Sequence, residues 1–290
     1  MRTFDCFTFF NELELLEFRL KLLYDVVDYF VIAESNLTHA GKPKPYFFEE
    51  AKSRFAKWQH KIIYLPVQQS TEGLDFNTSV TTYTPTSAAW QLENGQRNAL
   101  QQINTQLKDD DHVLLSDLDE IPDPDVLKKI KVNNSPLSLS MIFHYYFLNC
   151  QNVGDEHWWN GSIFCSGQQF IKLGPQTLRD NRNNYPRIKK AGWHFSYLGG
   201  VEKIKYKIRS FAHTEYNKEE YLQDDKILKT IEEGKDIFNR PGAVYKFVSP
   251  YLYPEKLRRL MFEYRDLLHY PKEEAYLRKL LHKLTGKFIQ

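Results

Sequence analysis

The 290-residue chain reads as an α/β domain, a mixed but mostly parallel sheet flanked by helices on both faces, with a helical C-terminal extension. Three observations predict this. Apolar runs rich in β-branched and aromatic residues (3-TFDCFTF-9, 29-YFVIAES-35, 61-KIIYLPV-67 and 112-HVLLS-116) alternate with helix-periodic segments. A hydrophobic fraction of 42% is enough for a sizeable core. No run of about 18 apolar residues occurs, so no membrane-spanning helix is expected.

The elements follow in order. Residues 3 to 9 predict the first strand, and Asn11 followed by Glu14 resembles a helix cap leading into the periodic Leu13 to Leu23. The second strand is 29 to 35. A helix over 48-FEEAKSRFAKW-58 then precedes the third strand at 61 to 67. The polar stretch 68 to 87 lacks periodicity and predicts a long loop of the kind kept for function. A helix from about Ala88 to Leu107 leads to the fourth strand, and Asp123-Pro124-Asp125 predicts a helix start with Asp123 as cap. Strands are expected within 137–150 and 161–166, and helices from Gly200 onward. In 272–288, Leu277, Leu280, Leu281 and Leu284 oppose Arg278, Lys279, His282, Lys283 and Lys287. That pattern fits a solvated surface helix or peripheral contact with an anionic membrane.

A net charge of +2 excludes a dedicated nucleic-acid binder, which needs a concentrated basic excess. Cys6, Cys150 and Cys165 are too widely spaced for a zinc site or redox pair, and no leader-like segment opens the sequence, so a reducing, cytoplasmic location is the expectation.

The chemistry concentrates in 112-HVLLSDLDEIPDPD-125, where a buried strand runs into acids. Asp117 and Asp119, two apart, are predicted to point the same way beyond the sheet edge. Paired carboxylates invite a hard divalent cation, Mg²⁺ or Mn²⁺, with substrate phosphates completing its shell. A calcium loop fails at Ile121 and Pro122. Three classes stay open on the residues alone: a phosphohydrolase with Asp117 as nucleophile, an Asp-X-Asp glycosyltransferase, and a non-catalytic glycan-binding module using Trp158 and Trp159.

The strings 5-DCFTFFNELELLEFRL-20, 28-DYFVIAESNLTHAGKPKP-45, 96-QRNAL-100, 114-LLSDLDEIP-122 and 191-AGWHFS-196 resemble glycosyltransferase family 17 in order and near spacing. The resemblance implies a GT-A fold with a Rossmann-like mixed sheet, a nucleotide-sugar donor, UDP-GlcNAc by analogy, and a glycan or glycolipid acceptor. It also implies a divalent metal at Asp-X-Asp and inversion at the anomeric carbon. Residues 1–200 would form the catalytic domain, with a nucleotide-sugar half to about 122 and an acceptor half from 123, and 201–290 a helical extension.

On that basis Asp119 is expected as direct metal ligand, Asp117 as a ligand through water or a ribose contact, and His194 as a third metal contact, with His213 the weaker alternative. A lone histidine in such a run also reads as an ordinary buried one. Glu202 is the first candidate general base, with Asp155 and Glu156 as rivals; Glu202 reads equally as a favourable charge at a helix N-terminus. Asn11, Glu12, Glu34 and Ser35 at the strand ends, with Arg97 and Asn98, are donor-binding candidates, and Arg179 and Arg182 are candidates for further phosphate contacts. Trp158, Trp159, Gly161 and Trp193 suggest a stacking surface for a sugar ring, against core packing as the competing use.

Overall fold

The computed structural model describes residues 1–76, 83–132, 134–155 and 157–270. Its strands are β1 (Thr3–Phe9), β2 (Tyr29–Ser35), β3 (Ile62–Val67), β4 (His112–Asp117), β5 (Glu120–Pro122), β6 (Leu137–Tyr145), β7 (Cys150–Asn152), β8 (Trp158–Ser166), β9 (Arg187–Ile188), β10 (Gly192–Ser196) and β11 (Tyr245–Phe247). The helices are α1 (Leu13–Leu23), α2 (Phe47–Glu50), α3 (Ala88–Asn98), α4 (Pro124–Leu127), α5 (Gly167–Leu173), α6 (Pro175–Asp180), α7 (Gly200–Ile208), α8 (Asp224–Glu232) and α9 (Glu255–Glu263).

Strands β3, β2, β1 and β4 run parallel in that spatial order. Beyond β4 the sheet changes character. β8 pairs antiparallel with both β4 and β6, and β7 and β11 extend the antiparallel half. The sheet is therefore more mixed than the alternation of strand and helix predicts, because residues 137–166 return as adjacent antiparallel strands without a crossover helix. β10 lies parallel to β6 and antiparallel to β5, which lays the 191-AGWHFS-196 string beside the acidic turn.

Side-chain parity builds the layers. On β1, Phe4 and Cys6 enter one apolar layer and Phe7 and Phe9 the other; on β4, Val113 and Leu115 join the first and Leu114 the second. α1 and α9 cover one face through Leu15, Leu16, Leu257 and Met261, and the segment after α3, with α5 and α6, covers the other through Leu100, Ile103, Phe170 and Leu178. A third cluster joins α7 and α8 to β6 and β11 through Ile204, Ile208, Ile227 and Tyr245.

Local departures have local causes. Tyr146 adopts a left-handed backbone (φ 68°) and ends β6, so the expected strand over 137–150 divides into β6 and β7. The expected helix over 48–58 becomes short α2 followed by a 3₁₀ segment, Lys52–Lys61. α1 is preceded by Glu12 rather than Asn11, and neither side chain caps it. Asp123 does cap α4, its Oδ1 accepting from the Asp125 amide at 2.8 Å with Pro124 at the first helical position. The three cysteines are buried and unpaired. Among the described residues no helix is long and apolar enough to cross a membrane. The amphipathic segment 272–288 lies outside the described residues.

Candidate active site

The acidic turn is built around an arginine. Arg19 sits on the buried face of α1, and its guanidinium and the facing Asp5 carboxylate are both fully excluded from solvent. Its Nε and Nη2 donate to Asp5 at 2.8 and 2.6 Å, and Nη2 also reaches Ser116 Oγ at 2.6 Å. Its Nη1 donates to the carbonyls of Asp117, Leu118 and Glu120 at 3.0, 3.0 and 2.8 Å. Three carbonyls of the 117-DLDE-120 turn are thus satisfied by one cation from the neighbouring helix, which sets the turn's shape.

From that turn the acids diverge. Asp117 ends β4 on the face of Val113 and Leu115, so it meets α3 and α6: Arg97 Nη2 lies 3.0 Å from Oδ1 and Arg179 Nη2 2.6 Å from Oδ2, with Thr8 Oγ1 at 3.2 Å. Asp119, past the turn, faces β10 and α7, where Lys207 Nζ lies 2.9 Å from Oδ2 and His194 Nε2 3.3 Å from Oδ1. Burial raises both carboxyl pKa values, but the cations outweigh it. Arg179 and Arg97 hold Asp117, and Lys207 and His194 hold Asp119, well below the usual carboxylate range. Both are ionised at neutral pH.

Glu120 is fully buried beneath them. It accepts from Trp159 Nε1 at 2.5 Å, Ser162 Oγ at 3.0 Å, the two Arg179 amines at 2.8 and 2.7 Å, and the Asp117 amide at 3.1 Å. Gly161 makes this possible, since a Cβ there would fall 1.9 Å from Glu120 Oε1 and 2.3 Å from Trp159 Nε1. The His194 ring lies between Phe143 and Trp159, with centroids 4.8 and 4.6 Å away. Its Nδ1 is buried without a hydrogen-bond partner among the described residues.

These groups border a cavity of about 490 Å³ that collects Glu12, Arg97, Asp117, Asp119, Trp159, Arg179, Arg182, His194 and His213 from the sequence expectations. A second cavity of about 300 Å³ adjoins it, lined by Asp155, Trp158 and the amides Asn152, Asn160 and Asn183; Phe143, Trp159, Arg182 and Arg240 border both.

Other expected residues fall elsewhere. Glu34 points to the α1 side of the sheet, pairs with Lys44 at 3.0 Å and accepts from the Phe47 and Phe48 amides at 2.6 and 3.0 Å, so it anchors α2 instead of a donor. Ser35 donates to Gln69 at 2.6 Å. Asn11 borders neither cavity, and Asn98 is exposed and accepts from the Gln176 amide at 3.1 Å at the start of α6. Trp193 lies in the layer with Phe195, because strand parity sends His194 and Ser196 to the cavity and its neighbours to the core. Gly161 supplies room for Glu120 rather than a stacking face. Glu202 is 79% exposed and pairs with Lys205 at 2.6 Å, outside both cavities. Glu156 lies outside the described residues.

Asp117 requires a correction too. Each of its oxygens accepts from a guanidinium, so besides bordering the cavity it braces α3 against α6, a structural role that sequence reasoning did not assign it. The residues that sequence reasoning missed are Arg19, Lys207 and Arg240. Arg19 carried a signal, a cation at an apolar position of α1 between Phe18 and Leu20; Lys207 and Arg240 sit in unremarkable basic stretches.

As to metal-holding groups, no cluster of three or more His, Cys, Asp or Glu side chains occurs among the described residues. What fits a cation is the Asp119 carboxylate at the cavity wall. That is enough for an ion of the Mg²⁺ or Mn²⁺ type, which takes one or two carboxylates and draws its other ligands from phosphates and water. His194 fits less well as a ligand: metal at Nε2 would force the ring proton onto Nδ1, where no acceptor waits among the described residues, whereas a proton on Nε2 faces Asp119 Oδ1 at 3.3 Å.

The sequence profile of glycosyltransferase family 17 matches residues 1–252. The chain belongs to glycosyltransferase family 17. Among curated proteins it is similar to the beta-1,4-mannosyl-glycoprotein 4-beta-N-acetylglucosaminyltransferases of Rattus norvegicus and Homo sapiens, each 29% identical over 252 residues, covering 76% of this chain and 45% of the relative. The chain thus spans less than half the length of the curated relatives it matches. Among solved structures, the inositol-1-phosphate CTP transferase of T. maritima covers 93% of this chain and 98% of its own, at 10% identity and a TM-score of 0.36. The glycosyltransferase GlyE of Streptococcus pneumoniae TIGR4 covers 98% and 63%, at 13% identity and a TM-score of 0.33. Overlaps this low carry no argument.

Proposed function

We propose that this family 17 member is a metal-dependent inverting glycosyltransferase of GT-A type, moving N-acetylglucosamine from UDP-GlcNAc to a hydroxyl of a glycan. The observation that carries the reading is the divergent Asp-X-Asp turn, with one acid locked between two arginines and the next held at the wall of a cavity that continues into an aromatic, amide-lined neighbour. On this reading residues 1–200 are the catalytic unit, and the helical part from 201 contributes Lys207 to the donor cavity.

Asp119 would hold the divalent ion, and His194 would orient Asp119 by hydrogen bonding to its other side. When bound, Mn²⁺ or Mg²⁺ supplies Lewis-acid neutralisation of the leaving diphosphate. Asp117 keeps Arg97 and Arg179 aligned behind the turn. In the second cavity Trp158 and Trp159 offer faces for the C–H patches of a pyranose, and the three asparagines offer hydrogen bonds to its hydroxyls. Asp155 is the described carboxylate that borders this cavity, and we assign it the proton of the attacking hydroxyl.

The test is a panel of nucleotide sugars with purified protein, with and without Mn²⁺, following nucleoside diphosphate release and thermal stabilisation. One donor should give a metal-dependent response that Asp119→Asn abolishes while the variant melts as a folded protein. A folded wild-type protein that responds to no donor, or an Asp119→Asn variant with most of its activity, sinks the reading.

A further inference from the structure

We propose that Arg182 is the residue that grips the outer phosphate of the nucleoside diphosphate, the phosphate bonded to the transferred sugar. The inference rests on the donor reading above and adds a residue role to it. It follows from which cations bordering the main cavity are already neutralised. Arg97 pairs with Glu93 and Asp117 at 2.9 and 3.0 Å. Arg179 pairs with Asp117 and Glu120 at 2.6 and 2.7 Å, and Lys207 with Asp119 and Glu12 at 2.9 and 3.4 Å. Arg240 is held by Asp236 at 2.6 Å.

Arg182 differs. Among the described residues it has no carboxylate partner, and its side chain makes one hydrogen bond, from Nη1 to the Arg179 carbonyl at 3.1 Å. That contact is an ordinary one for a cation just past a helix, here α6, but it uses one of five donors. The guanidinium is half-buried, and both burial and the nearby Arg179 charge push its pKa down. The Glu120 and Asp117 carboxylates offset this only in part and from beyond ion-pair distance, so holding the charge half out of water beside a second arginine is unfavourable until an anion arrives to share it.

Its position names the anion. Arg182 borders both cavities, so it stands where donor and acceptor must meet. In the transfer, the acceptor oxygen forms a bond to the anomeric carbon as the bond from that carbon to the phosphate oxygen breaks. The electron pair leaves on that oxygen, and the hydroxyl proton passes to Asp155. Negative charge therefore grows on the outer phosphate at the junction, where a planar guanidinium with free donors is placed to receive it.

Calorimetric titration of wild type, Arg182→Ala and Arg182→Lys with nucleoside diphosphates and the matching monophosphates, at fixed Mn²⁺, tests this. Wild type should prefer one diphosphate over its monophosphate. Arg182→Ala should lower the diphosphate affinity by about 10- to 100-fold, the worth of a charge-assisted contact, and leave the monophosphate affinity unchanged. Arg182→Lys should fall between, and thermal melts of both variants check that they fold. A diphosphate preference that survives in Arg182→Ala overturns the inference, as does an equal loss for both nucleotides. A wild-type protein that binds no nucleoside diphosphate overturns the donor reading itself, a separate result.

Discussion

Replacing Arg19 by Met removes the centre of the acidic turn while conserving much of the side chain's bulk. The variant leaves Asp5 fully buried without its cation, and breaking a buried pair from one side costs about 3–5 kcal/mol. It also takes a donor from three turn carbonyls, each net bond contributing roughly 1 kcal/mol. A loss of at least about 4 kcal/mol is expected, a large part of the 5–15 kcal/mol that holds a typical domain. At roughly 2–4 °C per kcal/mol for a chain of this size, the melting temperature should fall by about 10 °C or more. Urea unfolding followed by circular dichroism measures it. The double variant Asp5→Leu/Arg19→Met separates two contributions. It removes the orphaned charge and should regain about 3 kcal/mol, yet its turn still lacks the three hydrogen bonds, so donor turnover should stay low. An Arg19→Met protein within about 1 kcal/mol of wild type, or a double variant with full turnover, refutes the idea that this arginine shapes the turn.

Three further outcomes are expected. Asp155→Asn should lower turnover by at least about 100-fold with donor affinity intact, as loss of a general base does, whereas Glu202→Gln should leave turnover unchanged; the reverse pattern in steady-state kinetics would return the base to α7. Gly161→Ala should cost about 1–3 kcal/mol by overpacking, since its methyl would enter the space of Glu120 Oε1 and Trp159 Nε1, and an unchanged urea midpoint would contradict that geometry. Burial raises the Asp111 carboxyl but the Arg2 hydrogen bonds overcome it, holding it at about 2 against an ordinary 3.8. The unfolded chain therefore takes up this proton first as pH falls. The group's contribution is complete above about pH 4 and lost toward pH 2, on the order of 1 kcal/mol once the partly exposed Arg2 is discounted for screening. Asp111→Asn should flatten the wild-type stability profile over that window, and identical profiles would remove the assignment.

How much of this was legible in the sequence depends on the range of the interaction. The four parallel strands, α1 and the Asp123 cap follow from local apolar pattern and local capping chemistry, and they stand where that pattern predicts them. The antiparallel half was harder to read, because the pairing of residues 137–145 with 158–166 is a tertiary choice that alternation within each strand does not announce. The site divides the same way. Asp119 and His194 meet at 3.3 Å across 75 positions, and the motif match alone linked them. Glu34 misled because its side of the strand cannot be told until α2 docks on it. Glu202 misled because a helix N-terminus and a catalytic carboxylate look alike in one dimension. Arg19 was the readable omission, since a cation inside an apolar helix face needs a buried partner.

The density of acid in 117-DLDE-120 then has a physical reason that precedes any ligand. Each carboxylate is the meeting point of donors from different elements: Asp117 joins α3 to α6, Glu120 joins α6 to β8, and Asp119 joins α7 to β10, while Arg19 ties the backbone of the turn to α1. A turn holding the ionised Asp117 and Asp119 this close together would repel itself open without those partners. With them it becomes the node that fixes the relative position of six helices and strands around the cavity. The compensation also decides what remains reactive. Cations already paired with a carboxylate serve position first, and a cation at the wall without such a pair is the one freest to meet an incoming anion. Among the cavity-lining cations of the described residues, that leftover group is Arg182.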